Sequence, residues 1–351
     1  MTAPTALGRL FSTPGLGAIA RHTPLPDTVR SLMAASATRL IDSAMLVRDP
    51  LRGFVAAEDS RVRTPLPDFP VLVAVRQLLD EVARDGFGPY AIRFFGLLGS
   101  LMIRLSGNAE QIERVNRWVA EGRTGAFCMT DRGGPLASQW TSEAPAGGGV
   151  LKVDKVWAMN ACAADFAIVI VRRGRSMVLS PVILPPEALA TARREASGAP
   201  FLDGHLPLGD LQWEGELDPA WVLGQGGPIA PKMFLTLARP WLIQALCAHV
   251  EWLGRAGRAR IDRAAAERIA FLVEAARNQA TIGHFDRFSE DQAMALKWIA
   301  NETWIDLVAN GAVGAQDDQR DLLGFSKMEG SSYRCFLEIY ERNRRLRSAD
   351  A

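Results

Sequence analysis

The chain has 351 residues, enough to bury a large core and to hold two or three domains. Forty basic residues stand against 39 acidic ones, and a formal charge of +1 offers no electrostatic case for nucleic acid or an anionic membrane surface. No run reaches about 18 apolar residues, and no charged n-region leads into an apolar stretch, so neither a membrane span nor secretion is expected.

Residues 1–122 read as helical. Apolar residues recur at three-to-four spacing over 41–47, 71–82 and 91–105, separated by turns such as Thr64-Pro65-Leu66-Pro67. Residues 109–120 add an amphipathic helix with Ile112, Val115, Trp118 and Val119 on one face, stopped by Gly122 and Gly125. From 123 to 227 the texture changes to short strands: 150–157 alternates, 166–171 is a β-branched apolar run, and 177–183 is a further candidate. From 228 to 351 helical periodicity returns over 234–253, 264–279, 290–308 and 333–345, long enough for a bundle. The periodicity supports a helical, β, helical order, an α+β multidomain chain.

Cys128, Cys162, Cys247 and Cys335 show no C-x-x-C spacing and read as buried thiols, which suits a reducing cytoplasm. His22, His205, His249 and His284 are equally dispersed, so no metal site is expected. Gly15-Leu16-Gly17 and Gly224-Gln225-Gly226-Gly227 do not join a strand to a helix at dinucleotide-binding spacing.

Three stretches carry the functional signal. The first runs from Gly107-Asn108-Ala109-Glu110-Gln111 to Gly125-Ala126-Phe127-Cys128-Met129-Thr130-Asp131-Arg132-Gly133-Gly134. The second is Gly149-Val150-Leu151-Lys152-Val153-Asp154-Lys155-Val156-Trp157-Ala158-Met159-Asn160. The third pairs Arg320-Asp321 with Met328-Glu329-Gly330-Ser331. In that order and at those separations they resemble the signatures of the flavin-dependent acyl-CoA dehydrogenase family, as a divergent member.

The resemblance implies an acyl-CoA dehydrogenase-like fold: an N-terminal helical domain (1–122), a small central β-barrel domain (123–227) and a C-terminal four-helix bundle (228–351). It implies FAD as cofactor, with Phe127, Met129, Thr130, Trp157, Met159 and Ser331 at the flavin, and Ser138, Arg239 and Gly330 at the substrate. Glu329 stands where relatives carry the base that removes the proton next to a thioester carbonyl. That chemistry needs a carboxylate at the α-carbon, hydrogen bonds for the enolate oxygen and a hydride acceptor on the opposite face. Other relatives place the base just before an Arg-Pro pair, where this chain has Ala238 before Arg239-Pro240.

Departures accompany the match. Met159 replaces a threonine, Asp131-Arg132 replaces Glu-Pro, and the serine of Gly-x-Gly-Ser is displaced to Ser138. The family's Arg-Lys-x-Phe-Gly grip on the flavin pyrophosphate is missing, and the basic segment 254–263 stands in its place as a substitute anion grip or a solvated turn. The implied reaction is α,β-dehydrogenation of an acyl thioester, carried by CoA or an acyl carrier protein. Electrons would pass to an electron-transfer flavoprotein or oxygen, in a homo-oligomer or a heteromer with a homologous chain. The alternatives are one subunit of a paired dehydrogenase, or a relative that reuses the pocket for oxygenase-like or non-redox chemistry. Five lysines against 35 arginines, with the high alanine content, point to a GC-rich bacterial source.

Overall fold

A computed structural model of the chain describes residues 64–65, 70–134, 137–145, 149–174, 178–216, 218–224, 229–329, 335 and 339. The helix expected over 41–47 lies outside them. So does the one expected over 333–345, apart from Cys335 and Ile339, which are helical. Contacts divide the chain into two compact units, one of Phe69–Phe234 and one of Met1–Asp68 with Leu235–Ala351. In chain order the elements begin with β1 (Thr64–Pro65), α1 (Pro70–Asp85), α2 (Ala91–Ser106), α3 (Ala109–Ala120), β2 (Gly125–Cys128) and β3 (Glu143–Ala144). There follow β4 (Val150–Met159), β5 (Phe166–Arg173), β6 (Leu179–Leu184), α4 (Pro186–Ala190), β7 (Arg193–Ala196) and β8 (Leu208–Glu216). Last come α5 (Ala230–Arg255), α6 (Arg263–Ala280), β9 (His284–Phe285), α7 (Arg287–Ala309) and α8 (Gln316–Phe325).

In the unit Phe69–Phe234, helix α1 buries Val75, Leu78 and Val82, spaced as one helical face. Phe87, Phe94 and Phe95 continue that core, with Phe87 and Phe94 edge to face at 5.3 Å. Helix α3 opens on a capping box: the Asn108 side chain accepts from the Gln111 amide at 2.9 Å while Gln111 accepts from the Asn108 amide. The Gln111 amide group also donates to the carbonyls of Ala220 and Val222, fixing the helix to the chain beyond β8. Val115 is buried as expected, but Val119, expected on the same face, is exposed.

Among the described residues seven strands form a mixed sheet. Strand β5 pairs in parallel with β2 along its first half and with β3 at its end, and antiparallel with β6; β3 joins β4, which continues to β8 and β7. Alternation sends Ala126, Cys128, Leu151, Val153, Val169, Val171 and Leu211 into one apolar core. It sends Lys155 inward too, and the bridge Asp131↔Lys155 delivers the carboxylate that this burial demands. Two residues separate Lys155 from Ala158 on β4 where the partner strand advances from Leu211 to Gly209 past only one, so β4 carries a bulge at Val156-Trp157. Gly209, paired with Ala158 beside the bulge, sits in tight quarters, since a Cβ there would lie 2.7 Å from Cys162 Sγ.

In the other unit, α5, α6, α7 and α8 pack about Leu242, Leu246, Val250, Leu272, Trp298, Trp304 and Leu322, all buried. Helix α6 is capped by Asp262 and α7 by a capping box of Asp286 with Ser289. Helix α5 is long and apolar enough to cross a membrane by composition, but 83% of its most apolar window is buried within the protein. Its apolar surface is core.

Candidate functional site

The first two signature stretches meet in the sheet unit. Strand β2 buries Ala126 and Cys128 on one face and leaves Phe127 and Met129 half-buried on the other, with the Phe127 ring 4.5 Å from that of Phe234. The chain then crosses β4: the Val156 amide donates to the Thr130 carbonyl at 3.1 Å and the Arg132 amide to the Asp154 carbonyl at 3.1 Å. Thr130 is exposed there, and Trp157 follows Val156 directly. Trp157 has φ of +53° and keeps 65% of its surface open. A bulky residue in the left-handed region that also exposes an indole is doubly unfavourable, so the bulge has to hold it there. Met159, two residues on, is half-buried, and Ser138 is exposed in the short turn Ala137–Gln139.

Behind this edge lies a buried ion pair. Asp131 accepts from the amides of Gly133, Thr141 and Ser142 and from the Thr141 hydroxyl, and its Oδ2 is 3.1 Å from Lys155 Nζ. Burial pushes this carboxyl up, but Lys155 and the converging hydrogen bonds prevail and bring it down to about 2. Burial pulls the Lys155 ammonium down to about 8 against the Asp131 charge, and the ammonium also lies 4.1 Å over the Trp140 ring. The neighbouring Cys128 thiol is pushed by burial up to about 12 and is inert.

The third stretch lies in the helical unit. Helix α8 ends at Phe325, and a turn over 326–329 brings the chain to Glu329, where φ is +52°. Arg239, buried on α5, donates from Nε to the Glu329 carbonyl at 3.0 Å and so fixes this strained residue. Glu329 is half-buried. Burial raises its pKa, and the charges of Arg239 and Lys297 oppose the rise. Among the described residues five that are not glycine have positive φ, and Trp157 and Glu329 are two of them. Backbone strain therefore coincides with two sequence-selected positions. Ala238 is buried and offers no carboxylate. Gly330 and Ser331 lie outside the described residues.

In the basic segment 254–263, Arg258 is committed within the protein, whereas Arg263 is a surface residue. Arg258 makes a two-pronged bond to the buried Asp318, 3.0 Å from Nε, and lies 5.4 Å over the Trp252 ring; Arg263 pairs with Glu267 at 2.9 Å. Sequence reasoning passed over Asp210, whose carboxylate faces the Trp157 amide, and Lys297, fully buried and bonded to the Phe325 carbonyl four residues before Glu329. The lysine had a signal: a single cation within Ala293-Met294-Ala295-Leu296-Lys297-Trp298-Ile299, in a chain that otherwise prefers arginine.

No protein-family model matches the sequence. No curated protein matches it either. Solved structures do. A glutaryl-CoA dehydrogenase from Mycobacterium smegmatis in complex with FADH2 aligns at TM-score 0.57 and 16% identity over 97% of this chain and 98% of that one. Butyryl-CoA dehydrogenase from Megasphaera elsdenii aligns at 0.56 and 16% over 88% and 97%. Nitroalkane oxidase in complex with spermine aligns at 0.60 and 16% over 97% and 96%. The chain has the fold of the acyl-CoA dehydrogenases.

Proposed function

We propose that the protein binds FAD and removes hydrogen from the α and β carbons of an acyl thioester, with Glu329 taking the α-proton. The observation that carries this reading is the geometry at Glu329: a half-buried residue held at φ of +52° and fixed through its own carbonyl by Arg239, with burial raising its carboxyl pKa. A thioester α-proton is weakly acidic, so a carboxylate stripped of water is a better match to it than one in solvent. The opposing charges of Arg239 and Lys297 keep that carboxylate available. With Ala238 at the alternative position, the proton has Glu329 as its acceptor.

The sheet unit supports the cofactor assignment. Trp157 presents an open indole face, Thr130 an exposed hydroxyl on the crossing chain, and Met129, Phe127 and Met159 half-buried apolar surface. A planar, hydrogen-bonding isoalloxazine suits this set, and Ser331, Ser138 and Gly330 follow from the resemblance alone. Bound FAD supplies the acceptor for the β-hydride. The protein's part is to hold Glu329 aligned as a strong base, and to hold Trp157 outward.

Arg258 favours a second reading, in which a homologous chain completes the flavin site. Arg258, in the segment that stands where the family's pyrophosphate grip would be, already serves Asp318. Purification of the chain alone, and together with a homologous chain, decides between the two by the yellow absorbance of oxidised flavin. Anaerobic addition of short, branched and long acyl-CoA then bleaches that absorbance. A protein colourless in both preparations, and unable to take up FAD, overturns the redox reading.

A further inference from the structure

Lys297 lies midway along α7 with none of its surface exposed. Its ammonium donates to the Asn301 side-chain oxygen one turn on, and at 3.0 Å to the carbonyl of Phe325. Phe325 is the last residue of α8, and the chain reaches Glu329 four residues later. Lys297 therefore bonds to the helix end that delivers the carboxyl group. A cation at a helix C-terminus is favourable in itself. Capping one carbonyl does not require a charge, however, and a neutral donor would avoid the cost of burying an ammonium.

The cost is visible. Burial pulls the Lys297 ammonium down to about 7. Three charged or titratable groups act on it from the elements packed around it: Cys335 and Glu329 favour its charge, and Arg239 on α5 opposes it. The Glu329 carboxyl feels Arg239 and Lys297 in turn, each favouring the ionised form that burial disfavours. Arg239 reaches Glu329 through the backbone carbonyl, so the lysine is a second, separate cation within range of the carboxyl group.

We propose that Lys297 is a positioning residue for Glu329: its bond to Phe325 fixes the turn that carries the carboxyl group, and its charge keeps that group ionisable inside the bundle. The role in turnover rests on Glu329 being the base, but the charge coupling exists with or without a substrate and is measured without one.

The test is an infrared titration of the full-length protein with ¹³C-labelled glutamate, the Glu329 carboxyl band being assigned by its loss in Glu329→Gln. Lys297→Gln keeps a donor and removes the charge; Lys297→Met removes both. Removing a cation that favours the ionised form raises a carboxyl pKa, so both neutral variants are expected to raise the Glu329 midpoint, by about one pH unit, with Lys297→Arg returning it toward wild type. The pH profile of flavin reduction by an acyl thioester shifts in parallel, with the rate recovering at high pH, an effect that loss of a structural cap alone does not produce. A Glu329 midpoint unchanged in folded Lys297→Gln overturns the proposal. Where the lysine variants fail to fold, Glu329→Gln serves in reverse, because removing the carboxylate lowers the Lys297 midpoint followed by ¹⁵N resonance; no movement there overturns it as well. A carboxyl band that moves as expected in a protein whose flavin no thioester reduces sinks the proposed reaction and leaves the coupling standing.

Discussion

Asp210 holds the backbone of Trp157. The Trp157 amide points at Asp210 Oδ1 at 3.4 Å, and the same carboxylate accepts from the Ser197 hydroxyl and, at 2.7 Å, from Arg132 Nη2. Burial pushes the Asp210 carboxyl up, but the bonds from Ser197 and Arg132 outweigh it and hold the group below its ordinary range. An anion on β8 thus secures a bulge on β4, and the bulge turns an indole out of the sheet against its backbone preference.

That arrangement separates stability from binding. Trp157 is open and in the left-handed region, where glycine is unstrained, so Trp157→Gly is expected to change stability by no more than about 1 kcal/mol. Aromatic contacts contribute about 0.5–1.5 kcal/mol beyond burial, so FAD affinity falls about two- to thirteenfold in the same variant. Trp157→Phe falls between. Thermal melts with flavin titrations check both halves, and an unchanged FAD affinity removes Trp157 from the cofactor site.

The Asp131–Lys155 pair predicts an acid-sensitive sheet. Asp131 is depressed from its ordinary range to about 2, so between those values the unfolded carboxyl binds a proton that the folded one refuses. Stability is complete above the unfolded value and is lost as pH falls through the folded one, by about 2 kcal/mol for this group. Lys155→Met leaves Asp131 buried without its cation and is expected to cost about 3–5 kcal/mol near neutrality. Denaturant melts across the acid range read both effects, and Asp131→Asn should lose the acid-dependent component.

Much of the fold was legible because the period of the pattern matches its burial. The expected spans 91–105 and 109–120 end within a residue of α2 and α3, and the alternation over 150–157 is β4. Strand β7 escaped notice because three of its four residues are charged and the strand is largely exposed, so alternation has nothing to mark. Helix α8 escaped notice because its inner face begins with Asp318 and Asp321, which a hydrophobic period counts as solvent positions; Arg258 is what lets Asp318 go inside. The site divides in the same way. Glu329 was visible through its spacing from Arg320, whereas Lys297 breaks an apolar helix and its role depends on partners brought close by folding. Asp210 lies more than fifty residues from the tryptophan it secures.

Arg258 gives a prediction that distinguishes structure from anion binding. Arg258→Lys cannot reproduce a two-pronged bond to a buried carboxylate and is expected to cost about 1–3 kcal/mol of stability. FAD affinity in the folded variant should stay within about twofold of wild type, because the guanidinium is already committed to Asp318. A selective loss of FAD affinity without loss of stability would falsify the structural assignment and return 254–263 to the cofactor.

Glu329 should show the conflict between activity and stability directly. Its carboxyl is raised in the folded protein, so between the ordinary and the raised value the native state keeps a proton that the unfolded chain has released. Stability therefore falls as pH rises through that window, and the whole cost of burying the anion is present above it. Glu329→Gln has no such group. It is expected to be more stable than wild type at about pH 8 and nearly equal to it at about pH 4, with the difference growing between. The same substitution removes the base, and flavin reduction by an acyl thioester should fall about 10²–10⁴-fold while substrate still binds. Glu329→Asp should keep part of the rate, since its carboxylate stops about one methylene short, and should keep the pH-dependent stability cost. Thermal melts at several pH values and stopped-flow reduction measure the two sides independently. A glutamine variant that reduces flavin at the wild-type rate would remove Glu329 as the base, whatever the melts show.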